Sequence, residues 1–214
     1  MEPPEAPATG PGAGRSGHPN LARPDVGRGE KKARENGWPI LFIDESGDRL
    51  QPLVRRTWAP KGETPVQHRW DRHDRLSGMA GICFSPVRHR PRLFFQIHQQ
   101  NIRFDAVIAF LGWVHRHVRK KFILVLDRHS AHRKAIRLLQ EQHPDWMEVV
   151  WLPADAPELN PVEMVWNHSK YGDLANFLPE GIDHLREAVS ASLERMGTET
   201  ALLLCCFRYT GLEW

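Results

Sequence analysis

Two short, uninterrupted apolar runs, each stopped by an aspartate, constrain this chain more than any other feature: Ile40-Leu41-Phe42-Ile43-Asp44 and Phe122-Ile123-Leu124-Val125-Leu126-Asp127. An alternating strand buries one face, whereas a continuous apolar run must be covered on both, as in the central strands of a sheet layered between helices. A carboxylate closing such a strand lies at the C-terminal edge of the sheet, where open α/β sheets place their ligands. The runs therefore predict neighbouring central strands that bring Asp44 and Asp127 together.

The remaining pattern fits around them. Strands are expected at Leu53–Trp58, Ser77–Phe84 and Arg92–His98, joined by Pro- and Gly-containing connections in an antiparallel succession. Phe104, Val107, Ile108, Leu111, Val114 and Val118 share one helical face. After the strand Phe122–Leu126 come a helix over Ala131–Gln142, a strand over Glu148–Leu152, a helix from Pro161 to near Tyr171, and a last helix over Ile182–Met196. No internal repeat is visible. Antiparallel strands followed by helix–strand alternation predict an α/β fold, a mixed sheet flanked by helices in the ribonuclease H-like arrangement.

Residues 1–37 hold seven glycines and six prolines, too little apolar surface to offset chain entropy. They are expected to be a disordered Pro/Gly-rich segment with a short helix near Glu30–Asn36, and residues 38–214 to form one domain. No run approaches the roughly 18 apolar residues of a membrane span, and residues 1–37 lack the apolar stretch of a signal peptide, which points to a cytoplasmic protein without membrane partners. The three cysteines, Cys83, Cys205 and Cys206, form no CxxC and are expected to be reduced, apolar-packed thiols. The twelve histidines include no HExxH pair, so a histidine-built metal site is not expected.

The net charge of +3 conceals segregation. Residues 45–100 carry ten Lys+Arg against five acids and residues 101–137 nine against two, whereas residues 138–214 carry four against thirteen. The basic central half reads as a polyanion surface, or as ordinary solvated faces.

A third carboxylate, Glu163, sits on the helix that follows the next strand. Three carboxylates at one sheet edge repel one another unless cations lie between them, which calls for hard divalent ions such as Mg²⁺. Each residue also has a plainer reading. Asn160-Pro161-Val162-Glu163 is a good helix start with Asn160 as N-cap, and both aspartates could cap turns.

Four motifs in order, Phe42-Ile-Asp44-Glu-Ser-Gly, Thr57-Trp-Ala-Pro-Lys-Gly62, Leu124-Val-Leu-Asp127-Arg-His-Ser-Ala-His132 and Leu159-Asn-Pro-Val-Glu163-Met-Val-Trp166-Asn-His-Ser-Lys170, resemble the catalytic domain of mariner-superfamily DDE transposases, in particular the bacterial IS630-like insertion-sequence branch. The resemblance runs from about Trp38 to the C-terminus. It implies that Asp44, Asp127 and Glu163 are the catalytic, metal-binding triad, holding two Mg²⁺ ions for which Mn²⁺ is a surrogate, with Asn160 and Pro161 setting the third acid's helix. By the same resemblance Lys61, Arg128, His132 and Lys170 are the expected DNA contacts; His132 is expected to orient a phosphate or a carboxylate, with a surface histidine as its plainer reading. Trp58 and Trp166 are expected to pack. The implied chemistry is hydrolysis of a DNA phosphodiester to release a 3′-hydroxyl, then attack of that hydroxyl on target DNA. Double-stranded DNA and further copies of the chain are the implied partners.

The chain departs from the family in two places. Helix-turn-helix modules precede the catalytic domain in such transposases, so the chain reads as a catalytic half: either the second product of a split reading frame, with end recognition on a separate subunit, or a remnant whose first residues are not ancestral. Ala154-Asp155 stands where the family has proline followed by an aromatic, adding negative charge near the presumed DNA path. Two other readings share the sequence: an inactive remnant that binds DNA or partner subunits without turnover, and a nuclease that does not join strands.

Overall fold

The computed structural model describes residues 24–50, 53–63, 66, 74–154 and 156–211. The elements are α1 (Pro24–Asn36), β1 (Ile40–Arg49), β2 (Arg75–Ser85), β3 (Arg90–His98), α2 (Phe104–Val118), β4 (Phe122–Leu126), α3 (Ser130–Gln142), β5 (Met147–Trp151), α4 (Pro161–His168), α5 (Ile182–Thr198) and α6 (Thr200–Tyr209). The sheet runs β3-β2-β1-β4-β5, antiparallel between β1, β2 and β3 and parallel between β1, β4 and β5. The two apolar runs are central neighbours, as their sequence requires.

Both faces of β1 are covered, and its side chains divide by parity. Ile40 and Phe42 join Ile123 and Val125 in a core shared with α1, α4, α5 and α6; Leu41 and Ile43 join Leu124 and Leu126 in a second core with α2 and α3. Successive side chains of a strand point to opposite faces, so Asp44 continues the row toward α4 and Glu45 the row toward α3.

Four expectations are corrected. The strand expected at Leu53–Trp58 is an exposed connection, fixed by an isolated bridge from Leu53 to Ala175, because β2 takes in full register the edge of β1 that a following strand would use. Trp58 is 100% exposed instead of packed. The helix near residue 30 extends from Pro24 to Asn36, and its buried Val26 and Ala33 join the first core, so the fold begins before Trp38 and residues 24–37 are ordered structure; residues 1–23 lie outside the described ones. The helix expected to reach Tyr171 ends at His168 and continues as a π-helical turn over Ser169–Asp173. A further helix, α6, buries Leu203, Cys206 and Phe207. Cys83 is also buried, whereas Cys205 is exposed; all three are free thiols. Among the described residues, no helix is long and apolar enough to cross a membrane.

Candidate active site

The parallel ladder between β1 and β4 stops at the pair Phe42–Val125. β4 ends at Leu126, and Asp127 begins a turn in which its Oδ1 accepts the His129 N–H at 3.0 Å, the local bond that favours aspartate after a strand. β1 does not stop at Asp44, as its sequence suggested, but runs on to Arg49 along β2. The polar stretch Glu45-Ser-Gly-Asp reads as a loop, yet β2 supplies a complete ladder for it. Asp44 therefore lies where β1 has just lost β4 as a neighbour.

The third acid is brought in by a helix start. Asn160 caps α4 by accepting the Val162 N–H at 3.1 Å, and its side-chain amide donates to the Ile43 carbonyl at 3.0 Å. Pro161 occupies the first helical position, where its missing N–H costs nothing. This pins the first turn of α4, with Glu163, beside β1 at Asp44. The proximity appears in the acidity of Asp44, whose carboxyl is pushed up to about 8 by burial, then by the charges of Glu163 and Glu45, and least by Asp127.

Asp127 is turned toward α3. His132, fully buried on the first turns of that helix, places Nδ1 2.5 Å from Asp127 Oδ1 and Nε2 2.6 Å from Glu45 Oε1. Burial works against its charged form, but the bond to Glu45 and the charges of Glu45 and Asp127 outweigh it and hold the imidazole up at about 9. At neutral pH an imidazolium thus donates to both carboxylates. His132 is not a surface histidine; of the two roles the resemblance implied, it takes the contact with carboxylates and clamps two of them.

Among the described residues, no three carboxylate, imidazole or thiol groups already stand together as a set able to hold a metal ion. The donor chemistry nonetheless fits hard divalent cations: the oxygens are carboxylates, and the charges of Glu163, Glu45 and Asp127 all oppose ionisation of Asp44.

The expected cations divide by position. Lys170, on the π-helical turn, donates to Ser46 Oγ and lies near buried Asp48, whose carboxyl is raised by burial and eased back by that lysine. It is held over β1 beyond Asp44. Arg128 is exposed next to Asp127. Lys61 is exposed in the turn Pro60–Glu63, where Gly62 takes φ +94°, and no bond among the described residues joins it to the acids. Trp166 is buried, as expected, with its ring against Gly78 of β2. Asp155 lies outside the described residues.

Sequence reasoning missed Glu45 as a member of the site. Its signal was present in strand parity: a carboxylate next to Asp44 must face the opposite layer, where a histidine on the helix after β4 can meet it.

Comparisons with known proteins agree with this geometry. Residues 39–180 match the family described as DDE superfamily endonuclease. Among solved structures, the chain is similar to the Mos1 strand transfer complex (TM-score 0.58, 14% identity, covering 89% of this chain and 60% of that one). It is also similar to the Mos1 transposase paired-end complex with left transposon end (0.61, 12%, 95% and 63%) and the Mos1 mariner paired-end complex with Mn (0.60, 14%, 97% and 67%). At these identities the likeness shows the ribonuclease H-like fold, and the chain spans about three-fifths of the length of the first of them. No curated protein matches the chain. The family match covers the strand bearing Asp44, the turn of Asp127 and the helix of Glu163, and the chain belongs to the DDE superfamily endonucleases.

Proposed function

We propose that this chain is the catalytic domain of a DDE transposase that cleaves DNA phosphodiesters and joins the released 3′-hydroxyl to target DNA. The observation that carries the reading is the junction at which Asn160 ties the Glu163 helix to β1 beside Asp44, with Asp127 at the end of the adjoining strand. Asp44, Asp127 and Glu163 would hold divalent ions, two in the complete site. Once bound, such ions supply charge stabilisation and activation of the attacking oxygen in phosphoryl transfer.

The chain's own residues position and screen. Asn160 and Pro161 fix the helix that carries Glu163, and the Glu45–His132 pair orients Asp127. Arg128 and Lys170 offer positive charge to DNA phosphates on the carboxylate side of the sheet, and Lys61 would add to it from its exposed turn. His132 itself acts through Asp127 rather than on the DNA. The Mos1 structures are of transposon-end and paired-end assemblies, one of them with Mn; duplex DNA, self-association and a divalent cofactor belong to this proposal for the present chain. A cytoplasmic location completes it.

The test is strand transfer on pre-cut duplex ends with Mn²⁺, comparing the natural chain with Asp127→Asn and Glu163→Gln. Joined products lost in both variants support the reading. Cleavage without joining would make the chain a simple nuclease; salt-sensitive DNA binding with neither reaction would make it an inactive remnant.

A further inference from the structure

The end of the sheet opposite the carboxylates carries a second concentration of charge. A groove of about 640 Å³ opens where β1 and β4 begin, bounded by the β2–β3 turn and the end of α2. Arg88, Arg90, Arg92, Arg119 and Lys120 line it together with His117, and no carboxylate does. All five Lys and Arg are exposed, and no ion pair among the described residues neutralises them. The acid-rich C-terminal part of the chain packs against β3 through α5 and α6, yet contributes only Gly197 to the lining.

Part of this charge has a local explanation. The C-terminal carbonyls of α2 favour nearby cations, which accounts for Arg119 and Lys120. Arg88, Arg90 and Arg92 come instead from the β2–β3 hairpin, three guanidinium groups beside the single further helix end that reaches the groove, the last turn of α5 at Gly197. Both supports are fixed turns. Arg119 takes φ +54° with its N–H on the His115 carbonyl at 2.8 Å, and His89 takes φ +48° with its N–H on the Ser85 carbonyl at 2.8 Å. Left-handed non-glycine residues held by such bonds present the arginines from set positions.

We propose that this groove binds the sugar–phosphate backbone of a second DNA segment, separate from the one at the carboxylates. The inference rests on the DNA-acting reading above. β4 lies between the two sites, and its five residues span roughly 17 Å at about 3.3 Å per residue. Both sheet faces are covered, one by α2 and α3 and the other by α1, α4, α5 and α6. The covering helices thus lie between a backbone at the carboxylate edge and the groove. Clustered guanidinium groups without carboxylates fit phosphate chemistry, and a concave row of them fits a strand backbone rather than a single anion.

The test uses the full chain in EDTA and a labelled duplex of roughly 20 base pairs, with binding followed by anisotropy over a salt series. The triple variant Arg90→Ala/Arg92→Ala/Lys120→Ala is compared with Lys61→Ala/Arg128→Ala, and both are checked for an unchanged melting temperature. Because each neutralised phosphate contributes about 0.9 to the slope of log affinity against log salt, the triple variant should flatten that slope by about 2 to 3 and weaken low-salt binding at least about tenfold. In the natural chain, duplex should also protect Arg90, Arg92 and Arg119 from hydroxyphenylglyoxal. An unchanged slope with unprotected groove arginines overturns the proposal; if Lys61→Ala/Arg128→Ala still weakens binding, the DNA-acting reading stands without it. Absence of any salt-sensitive duplex binding by the natural chain overturns both. Protection by heparin or an acidic peptide but not by duplex also overturns it, assigning the groove to another polyanion.

Discussion

The side-chain amide of Asn160 donates to the Ile43 carbonyl at 3.0 Å while its oxygen accepts the Val162 N–H at 3.1 Å. One buried side chain thus starts α4 and fastens that start to β1 next to Asp44. Asn160→Ala should cost about 1 to 3 kcal/mol, from the lost cap and the unpaired carbonyl. Asn160→Asp keeps the cap acceptor but loses the donor and buries a charge beside Ile43. It should therefore also weaken Mn²⁺ binding. Thermal melts with and without Mn²⁺ check both, and a cap-only role would leave Asn160→Asp like the natural chain.

His132 and Glu45 should be energetically coupled. With Nε2 2.6 Å from Oε1 and the imidazole fully buried, His132→Ala leaves two carboxylates facing a cavity and should destabilise by about 1 to 3 kcal/mol. In a double-mutant cycle with Glu45→Gln, the coupling should reach about 1 kcal/mol or more. Denaturant melts of the four proteins measure it; additive losses would show that the clamp contributes nothing.

Gly78 and Trp166 set how closely α4 approaches the sheet. A Cβ on Gly78 would fall 2.7 Å from the ring of buried Trp166, which would have to shift. Gly78→Ala should destabilise by about 1 to 3 kcal/mol through overpacking. Trp166→Phe in the same chain should recover part of that loss, as chemical denaturation of the single and double variants would reveal.

Asp44 gives the metal-free protein a distinctive pH dependence. Its carboxyl lies near 8 in the fold against an ordinary 3.8, so the folded state retains a proton that the unfolded chain releases. Stability contributed by this group is therefore lost as pH rises from about 4 to about 8. Asp44→Asn should reduce the fall in melting temperature over that interval, measured in EDTA. An equal fall in both proteins would mean the carboxyl is not held protonated.

Much of this site was legible in the sequence, for identifiable reasons. Continuous apolar runs ending at Asp44 and Asp127 specify buried neighbours, and the Asn160-Pro161 pair specifies a helix start; both signals are local. What escaped depends on pairing between distant segments. β1 continues through polar Glu45–Arg49 because β2 meets it residue for residue, and no local propensity announces that. Leu53–Trp58 has strand composition, but β2 takes the edge of β1 that it would join. Val26 and Ala33 are too sparse to reveal that α1 packs on the sheet. His132 could be tied to Glu45 only once β1 and α3 had been placed on the same layer.

The central claim is that Asp44, Asp127 and Glu163 form one divalent-ion site, and calorimetric titration of the purified chain with Mn²⁺ tests it most directly. Saturable binding is expected, weakened at least about tenfold by each of Asp44→Asn, Asp127→Asn and Glu163→Gln, as loss of a charged ligand requires. Binding that is absent, or that survives all three substitutions unchanged, would contradict it.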